Sequence, residues 1–311
     1  MPDLIDVSIV IAAYNAEPFI ARAIASALDQ REVCVEILVA DDASDDGTRE
    51  VVSQMAAQWP QIRLLPGATN QGPAAARNRA IDAARGAWIA ILDADDAILP
   101  DRLSRLLAIA RATGADIVSD NFRYYDPASD TCSPPVLPER DALREIDLAD
   151  FLDHARPYGE ETDWGLLQPI IRRAFLEQHR LRYPLQSRHG EDFLLMVALL
   201  AQGGRYVYSP VCGYLYTRRD SGWSRTRVDY DAMARQSRAL LGDPAIADDP
   251  RLVALVRARI RAVGRLAVEY RLGCYRRERR RVALVGLVVR TPALWLRALR
   301  RVVKEVAGAP R

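Results

Sequence analysis

The chain has 311 residues, half of them hydrophobic, and a formal net charge of +2. That length supports one large domain with an appendage or two domains around a substantial core, and no repeat or low-complexity segment argues for a fibrous or disordered chain. The four cysteines, Cys34, Cys132, Cys212 and Cys274, are scattered without a Cys-x-x-Cys pair, which speaks against disulfides and a zinc site.

Taken in order, the opening Met1-Pro-Asp-Leu-Ile-Asp6 is acidic and runs straight into an apolar run, so no signal peptide is expected. The first 120 residues then alternate strand and helix. Strands are predicted over 7–12, 35–40, 62–65, 87–92 and 116–119. Helices are predicted from Pro18 to about Leu28, from the turn at 41–47 through Gln58, from Pro73 to about Ala84, and over 100–113. Repeated βα units of this length predict an α/β fold with a mostly parallel, doubly wound sheet. Regularity breaks near Asp126, and 127–138, with Pro134-Pro135, reads as a loop over or beside the site. Helical pattern returns over 147–155, 173–178 and 191–201, with a strand over 205–208. Pro250 begins a long amphipathic helix with Leu252, Leu255, Val256, Ile260, Val263 and Leu266 on one face.

Asp93-Ala94-Asp95-Asp96 is the most pointed stretch, because it ends the apolar run Ala87-Trp-Ile-Ala-Ile-Leu92. A buried strand delivers such carboxylates to the carboxyl edge of a sheet, where open α/β folds bind ligands. Like charges this close favour a cation, and the Asp-x-Asp spacing suits a hard divalent ion shared with a diphosphate; the plainer alternative is a solvated turn. Three further clusters follow strands. Ala12-Ala13-Tyr14-Asn15 could stack a base and bond ribose or phosphate. Asp41 and Asp42 face the same crevice, ahead of turn and cap material at 43–48. Asn70-Gln71-Gly72-Pro73 opens a helix whose Arg77, one turn in, could reach a phosphate or nucleoside.

These four clusters, in order and at matching spacing, resemble the nucleotide-diphospho-sugar half of family 2 glycosyltransferases with the GT-A fold. The resemblance rests on Val7-Ser-Ile-Val-Ile-Ala-Ala-Tyr-Asn15, Val39-Ala-Asp-Asp42, Asn70-Gln-Gly-Pro-Ala-Ala-Ala-Arg-Asn78 and Leu92-Asp-Ala-Asp-Asp96. It covers 5–120 strongly and 160–225 more loosely. It implies that Ala12, Tyr14, Asn15, Asn70 and Gly72 line a nucleotide pocket, with Asp42, or else Asp41, on the uracil of a UDP-sugar. It implies Arg77 beside the nucleoside, Asp93 and Ala94 at the ribose or donor sugar, and Asp95 on Mn²⁺ or Mg²⁺. His189-Gly-Glu-Asp-Phe-Leu194 resembles the family's Glu-Asp motif, which makes Asp192 the general base and implies inversion at the sugar carbon. Glu191 beside it should drive one of the pair to titrate upward. Arg218 and Trp223, in a Tyr- and Arg-rich segment, would close over the diphosphate, and Trp164 would stack on an acceptor sugar.

The net charge hides an asymmetry. Residues 1–250 carry 26 arginines against 38 acids, a net −12, whereas 251–311 carry 17 basic residues against 3 glutamates, a net +14. With the broken apolar run at 282–289 and Trp295, this suits an interfacial helix at an anionic membrane and a lipid-linked acceptor, rather than nucleic acid or a membrane span. The expected organisation is a GT-A domain over 1–225, divided into a nucleotide-sugar half (1–120) and an acceptor half (121–225), followed by a basic helical extension over 226–311. The expected location is cytoplasmic, at most peripheral to the inner face of the plasma membrane. A non-catalytic nucleotide-sugar-binding protein is the alternative. A nucleotidyltransferase or a dinucleotide oxidoreductase would need a glycine-rich first turn, and 12–16 has none.

Overall fold

The computed structural model describes residues 4–137, 142–157, 163–186, 189–218 and 228–278. Trp223 and the basic tail from 279 lie outside the described residues. The first half runs β1 (Val7–Ala13), α1 (Ile20–Leu28), β2 (Val35–Asp41), α2 (Thr48–Gln58), β3 (Ile62–Pro66), α3 (Pro73–Ala83) and β4 (Trp88–Ile91). It continues through β5 (Ala97–Ile98), α4 (Arg102–Thr113), β6 (Ile117–Asp126), β7 (Thr131–Cys132), β8 (Arg144–Ile146) and α5 (Leu148–His154). Then follow β9 (Ile170–Arg172), α6 (Arg173–Gln178), α7 (Glu191–Ala201), β10 (Tyr206–Thr217), α8 (Tyr230–Ala239), α9 (Pro244–Ala247) and α10 (Pro250–Arg277).

One sheet carries the order β3-β2-β1-β4-β9-β6-β10-β5, with β7 beside β6 and β8 beside β10. Strands β3, β2, β1 and β4 are parallel to their neighbours, as are β6 and β10, and β9 runs antiparallel between the two groups. Helices cover both faces of β1, which is why Val7, Ile9, Val10 and Ile11 are all buried and read as a continuous apolar run. The one polar residue in that run, Ser8, donates to Glu36 Oε1 at 2.7 Å and accepts from the Gly86 amide at 2.8 Å. A Cβ on Gly86 would lie 2.5 Å from the Ser8 nitrogen, so only glycine fits. This network pins the amino ends of β1 and β2 and leaves the carboxyl edge for chemistry.

The later part departs from the sequence reading in extent. The strand expected over 116–119 continues to Asp126, and the expected 127–138 loop folds back as β7 on β6. The strand expected over 205–208 reaches Thr217 through bulges between Ser209 and Tyr214. Helix α10 buries Leu252, Val256, Val263 and Ala267 against α8 and α5, and its Arg259 guanidinium lies 3.4 Å from the centre of the Phe193 ring of α7. The first stretch of the basic extension is thus packed into the body. Among the described residues no helix is long and apolar enough to cross a membrane.

Candidate active site

The parallel strands bring their ends to one edge. At the end of β1, Tyr14 is exposed, and the Asn15 carbonyl oxygen Oδ1 accepts from the Asp45 amide at 3.1 Å, tying β1 to the 41–48 turn. Asp46 accepts from the Thr48 amide at 3.0 Å and from the Glu17 amide at 3.1 Å, so the later acids of that turn are cap and turn material. Asp41 is fully buried and committed, with Arg49 Nε at 2.5 Å and the Ser44 amide at 3.3 Å. Asp42 instead reaches across to the start of α3 and accepts from the Gln71 amide at 3.1 Å and the Gly72 amide at 2.7 Å. Gly72 sits at φ 92°, a conformation glycine adopts without strain. These bonds hold the buried Asp42 carboxylate at the start of α3. Asn70 is exposed beside it, Ala12 is half-buried, and Ala94 is buried.

The centre of the site is Arg77. Sequence reasoning gives it to a nucleoside or phosphate; the structure gives it to carboxylates. Its Nη2 lies 2.8 Å from Asp93 Oδ1, and its Nη1 lies 2.8 Å from Glu191 Oε1 and 3.3 Å from Asp192 Oδ1. The Arg77 side chain is 6% exposed, and the ring of Tyr183 packs 5.2 Å away. One buried guanidinium thus gathers the strand-end acid of β4 and both acids that open α7. In so buried a place a guanidinium is held by the carboxylates that neutralise it. Burial of the Asp192 carboxyl, with Glu191 and Asp93 close by, pushes its pKa up to about 7 against the lowering effect of Arg77. Its side chain remains 31% exposed, so a substrate can reach it, whereas Glu191 is buried and acts as an ion-pair partner.

The Asp93–Asp96 stretch divides its labour. Asp93 accepts from Gln168 Nε2 at 3.2 Å as well as from Arg77. Asp96 is buried and joins β4 to β10, accepting from the Tyr214 hydroxyl and the Thr217 amide, each at 2.8 Å. Burial first, then the charges of Asp93 and Asp95, hold its carboxyl well above the usual range. Asp95 is half-buried, and its carbonyl accepts from Arg22 Nη2 at 3.0 Å. Among the described residues no group of three or more His, Cys, Asp or Glu is gathered that could hold a metal by itself. The negative charge of Asp93 and Asp95 crowding Asp96 is what a cation bound at this edge would relieve.

One expected contact falls elsewhere. Trp164 is buried, stacked 4.3 Å from the His154 ring and 5.8 Å from the Tyr208 ring, so it has no face to offer an acceptor sugar. Arg218 is exposed and lies over the Tyr124 ring at 5.0 Å. Residues the sequence reading passed over include Arg22, Gln168 and Tyr183, drawn to this edge by long-range packing.

The chain that builds this edge is similar to known proteins. The family profile described as "Glycosyl transferase family 2" matches residues 8–178, and the chain belongs to that family. It is 42% identical to the succinoglycan biosynthesis protein ExoO of Rhizobium meliloti (strain 1021) over 240 residues, 76% of this chain and 68% of ExoO. It is 37% identical to the succinoglycan biosynthesis protein ExoU of the same organism over 250 residues, 78% of this chain and 72% of ExoU. Among solved structures, S. aureus TarS 1–349 in complex with UDP-GlcNAc superposes with a TM-score of 0.66 at 20% identity. That match covers 79% of this chain and 68% of TarS 1–349, and it identifies the fold as GT-A type.

Proposed function

We propose that this transferase moves a hexose-type sugar from a UDP-sugar to a saccharide or lipid-linked saccharide acceptor in surface polysaccharide synthesis, with inversion. One observation carries the reading: Arg77 brings Asp93, at the donor edge, and Asp192, at the start of α7, onto one guanidinium. The succinoglycan-biosynthesis roles of ExoO and ExoU support the polysaccharide setting, and the UDP-GlcNAc complex of TarS supports the donor type.

In this scheme Tyr14, Asn15 and Asp42 bind the nucleoside, and Asp93 orients the donor sugar. Asp95 would hold Mn²⁺ or Mg²⁺ against the diphosphate, and such an ion, when bound, neutralises charge on the leaving group. Asp192 takes the proton of the acceptor hydroxyl. The oxygen forms its bond to the anomeric carbon as the carbon–oxygen bond to UDP breaks, its electrons leaving with UDP. A single displacement turns an α-linked donor into a β-linked product.

The test is nucleotide release from UDP-, GDP- and dTDP-sugars with Mn²⁺, Mg²⁺ or EDTA. Slow release from one UDP-sugar is expected, lost with EDTA and reduced at least about 100-fold in Asp95→Ala. Release unaffected by both would remove the ion from the reading. If no donor is turned over and UDP fails to bind with metal present, the transferase reading itself falls.

The tail belongs to the same proposal as an anchor to anionic membrane. Full-length protein should float with anionic liposomes, and a chain ending after residue 278, which keeps α10, should stay behind. Equal flotation of the two would sink the anchor.

A further inference from the structure

Gln168 stands just ahead of β9, the strand that runs antiparallel between β4 and β6. The β4–β9 register pairs Ala90 with Ile170, and carried two residues further it sets Gln168 opposite Leu92, beside Asp93. The β6–β9 register pairs Val118 with Ile170, so the same step sets Gln168 opposite Asp120. Strand pairing thus delivers one amide side chain to the acid that follows β4. Gln168 Nε2 donates to Asp93 Oδ2 at 3.2 Å, while Arg77 Nη2 holds Asp93 Oδ1 at 2.8 Å. An ionised carboxylate only accepts, so the nitrogen of the amide is the atom that must face it. The Asp93 amide in turn donates to the Tyr214 hydroxyl at 3.2 Å. Both carboxylate oxygens and the backbone nitrogen of Asp93 are therefore held, and its side chain keeps 25% exposure to meet a ligand.

Gln168 is itself buried and braced. Its carbonyl accepts from Arg102 Nη2, and Arg102 Nε donates to Asp120 Oδ1 at 2.9 Å. The Arg102 guanidinium carbon also lies 5.2 Å from the centre of the Tyr214 ring. Arg102 and Asp120 are both buried, and an ion pair so placed costs desolvation that alkyl packing would not. What the pair holds in return is the backbone of Gln168 and the ring of Tyr214, the two residues that bond Asp93 from the side away from Arg77.

We infer that Gln168, braced by Arg102, is a positioning residue for Asp93 that fixes the plane of its carboxylate toward the donor sugar; this role rests on the reading of Asp93 as the acid that orients that sugar. A single contact leaves the soft χ2 rotation of an aspartate open, and Arg77 is shared with Glu191 and Asp192. The second bond comes from a neutral amide, which closes that rotation without adding a charge to the site.

The test is Gln168→Met, which keeps the length of the side chain and the backbone carbonyl that Arg102 holds. Beside it stands Gln168→Asn, whose amide is one methylene too short to reach Asp93. Binding of UDP, UDP-glucose, UDP-galactose, UDP-GlcNAc and UDP-glucuronate is measured by calorimetry with Mn²⁺ present, so no turnover is needed. For the UDP-sugar that wild type binds, both variants should weaken binding about tenfold, the size of a lost hydrogen bond to a charged group, with UDP itself within about twofold of wild type. Asp93→Ala should weaken the same UDP-sugar at least as much, and adding Gln168→Met to it should change binding by less than about twofold. Equal weakening of UDP and UDP-sugar would overturn the inference by making Gln168 a general support of the fold. So would additive losses in the double variant, or sugar-nucleotide binding unchanged in both single variants. Wild type that binds UDP but none of the four sugar nucleotides would remove the donor reading on which the role rests, a failure visible before any variant is made.

Discussion

Asp192→Asn should reduce sugar transfer by about 10³-fold while UDP binding survives, because a positioned general base contributes roughly 10²–10⁴. The wild-type rate should rise with pH to a plateau above about 7, since Asp192 accepts a proton only once ionised and its carboxyl is pushed up to about 7. The same substitution has a consequence for stability. In the unfolded chain this carboxyl loses its proton near 3.8, and in the folded chain near 7. Between those values the folded state holds the extra proton, so wild-type stability falls as pH rises through the window and stays lower above it. The asparagine variant lacks that dependence. It should therefore melt higher than wild type at pH 8, with the gap closing as pH approaches 4. Equal melting curves at both pH values would mean that the site does not strain the base, and unchanged turnover would remove Asp192 from the chemistry.

Arg77→Met should be the most damaging single change in the site. It leaves Asp93, Glu191 and Asp192 facing one another around an apolar side chain, and removing one partner of a buried ion cluster costs about 3–5 kcal/mol. The loss should show as a reduced urea midpoint at pH 8. It should shrink as pH falls, because protonating the acids removes the repulsion the arginine had cancelled. Adding Glu191→Gln should restore part of the stability, since one of the three charges is then gone. A variant as stable as wild type at pH 8, or a loss that does not respond to pH, would contradict the role of Arg77 as their common counterion.

Much of the frame is legible in the chain. Strands β1, β2 and β4 are covered on both faces, so apart from the paired Ser8 and Glu36 their residues are apolar, and the acids that end or follow them stand out by contrast. What stays hidden is whatever depends on distant pairing. Strands β5, β7, β8 and β9 are two or three residues long and exist through their neighbours, with no pattern of their own. Arg77 shows the same limit on the side-chain level. Helix-start chemistry places it correctly on the edge, but its partners Glu191 and Asp192 lie 114 and 115 residues away in sequence. Trp164 misleads in the opposite direction: an Asp-Trp-Gly stretch looks like an exposed platform, and the stacking of His154 and Tyr208 that buries it leaves no local trace. The carboxylate pair Glu191-Asp192 is legible as the opening of α7, because acids at the head of an apolar helix are a local signal.

The seat of Arg259 beneath the Phe193 ring bears on how relatives of this chain can be recombined. Burial holds that guanidinium down at about 10 and presses it against the underside of the helix whose first turn carries Asp192. A designer who wished to exchange the basic tail for another address would be drawn to cut near 226, where the sequence suggests that the extension begins. Such a chimera would pull the floor from under α7. The serviceable junction lies after Arg277, where α10 ends, so the portable part of this molecule is the tail alone, and the long helix before it travels with the enzyme.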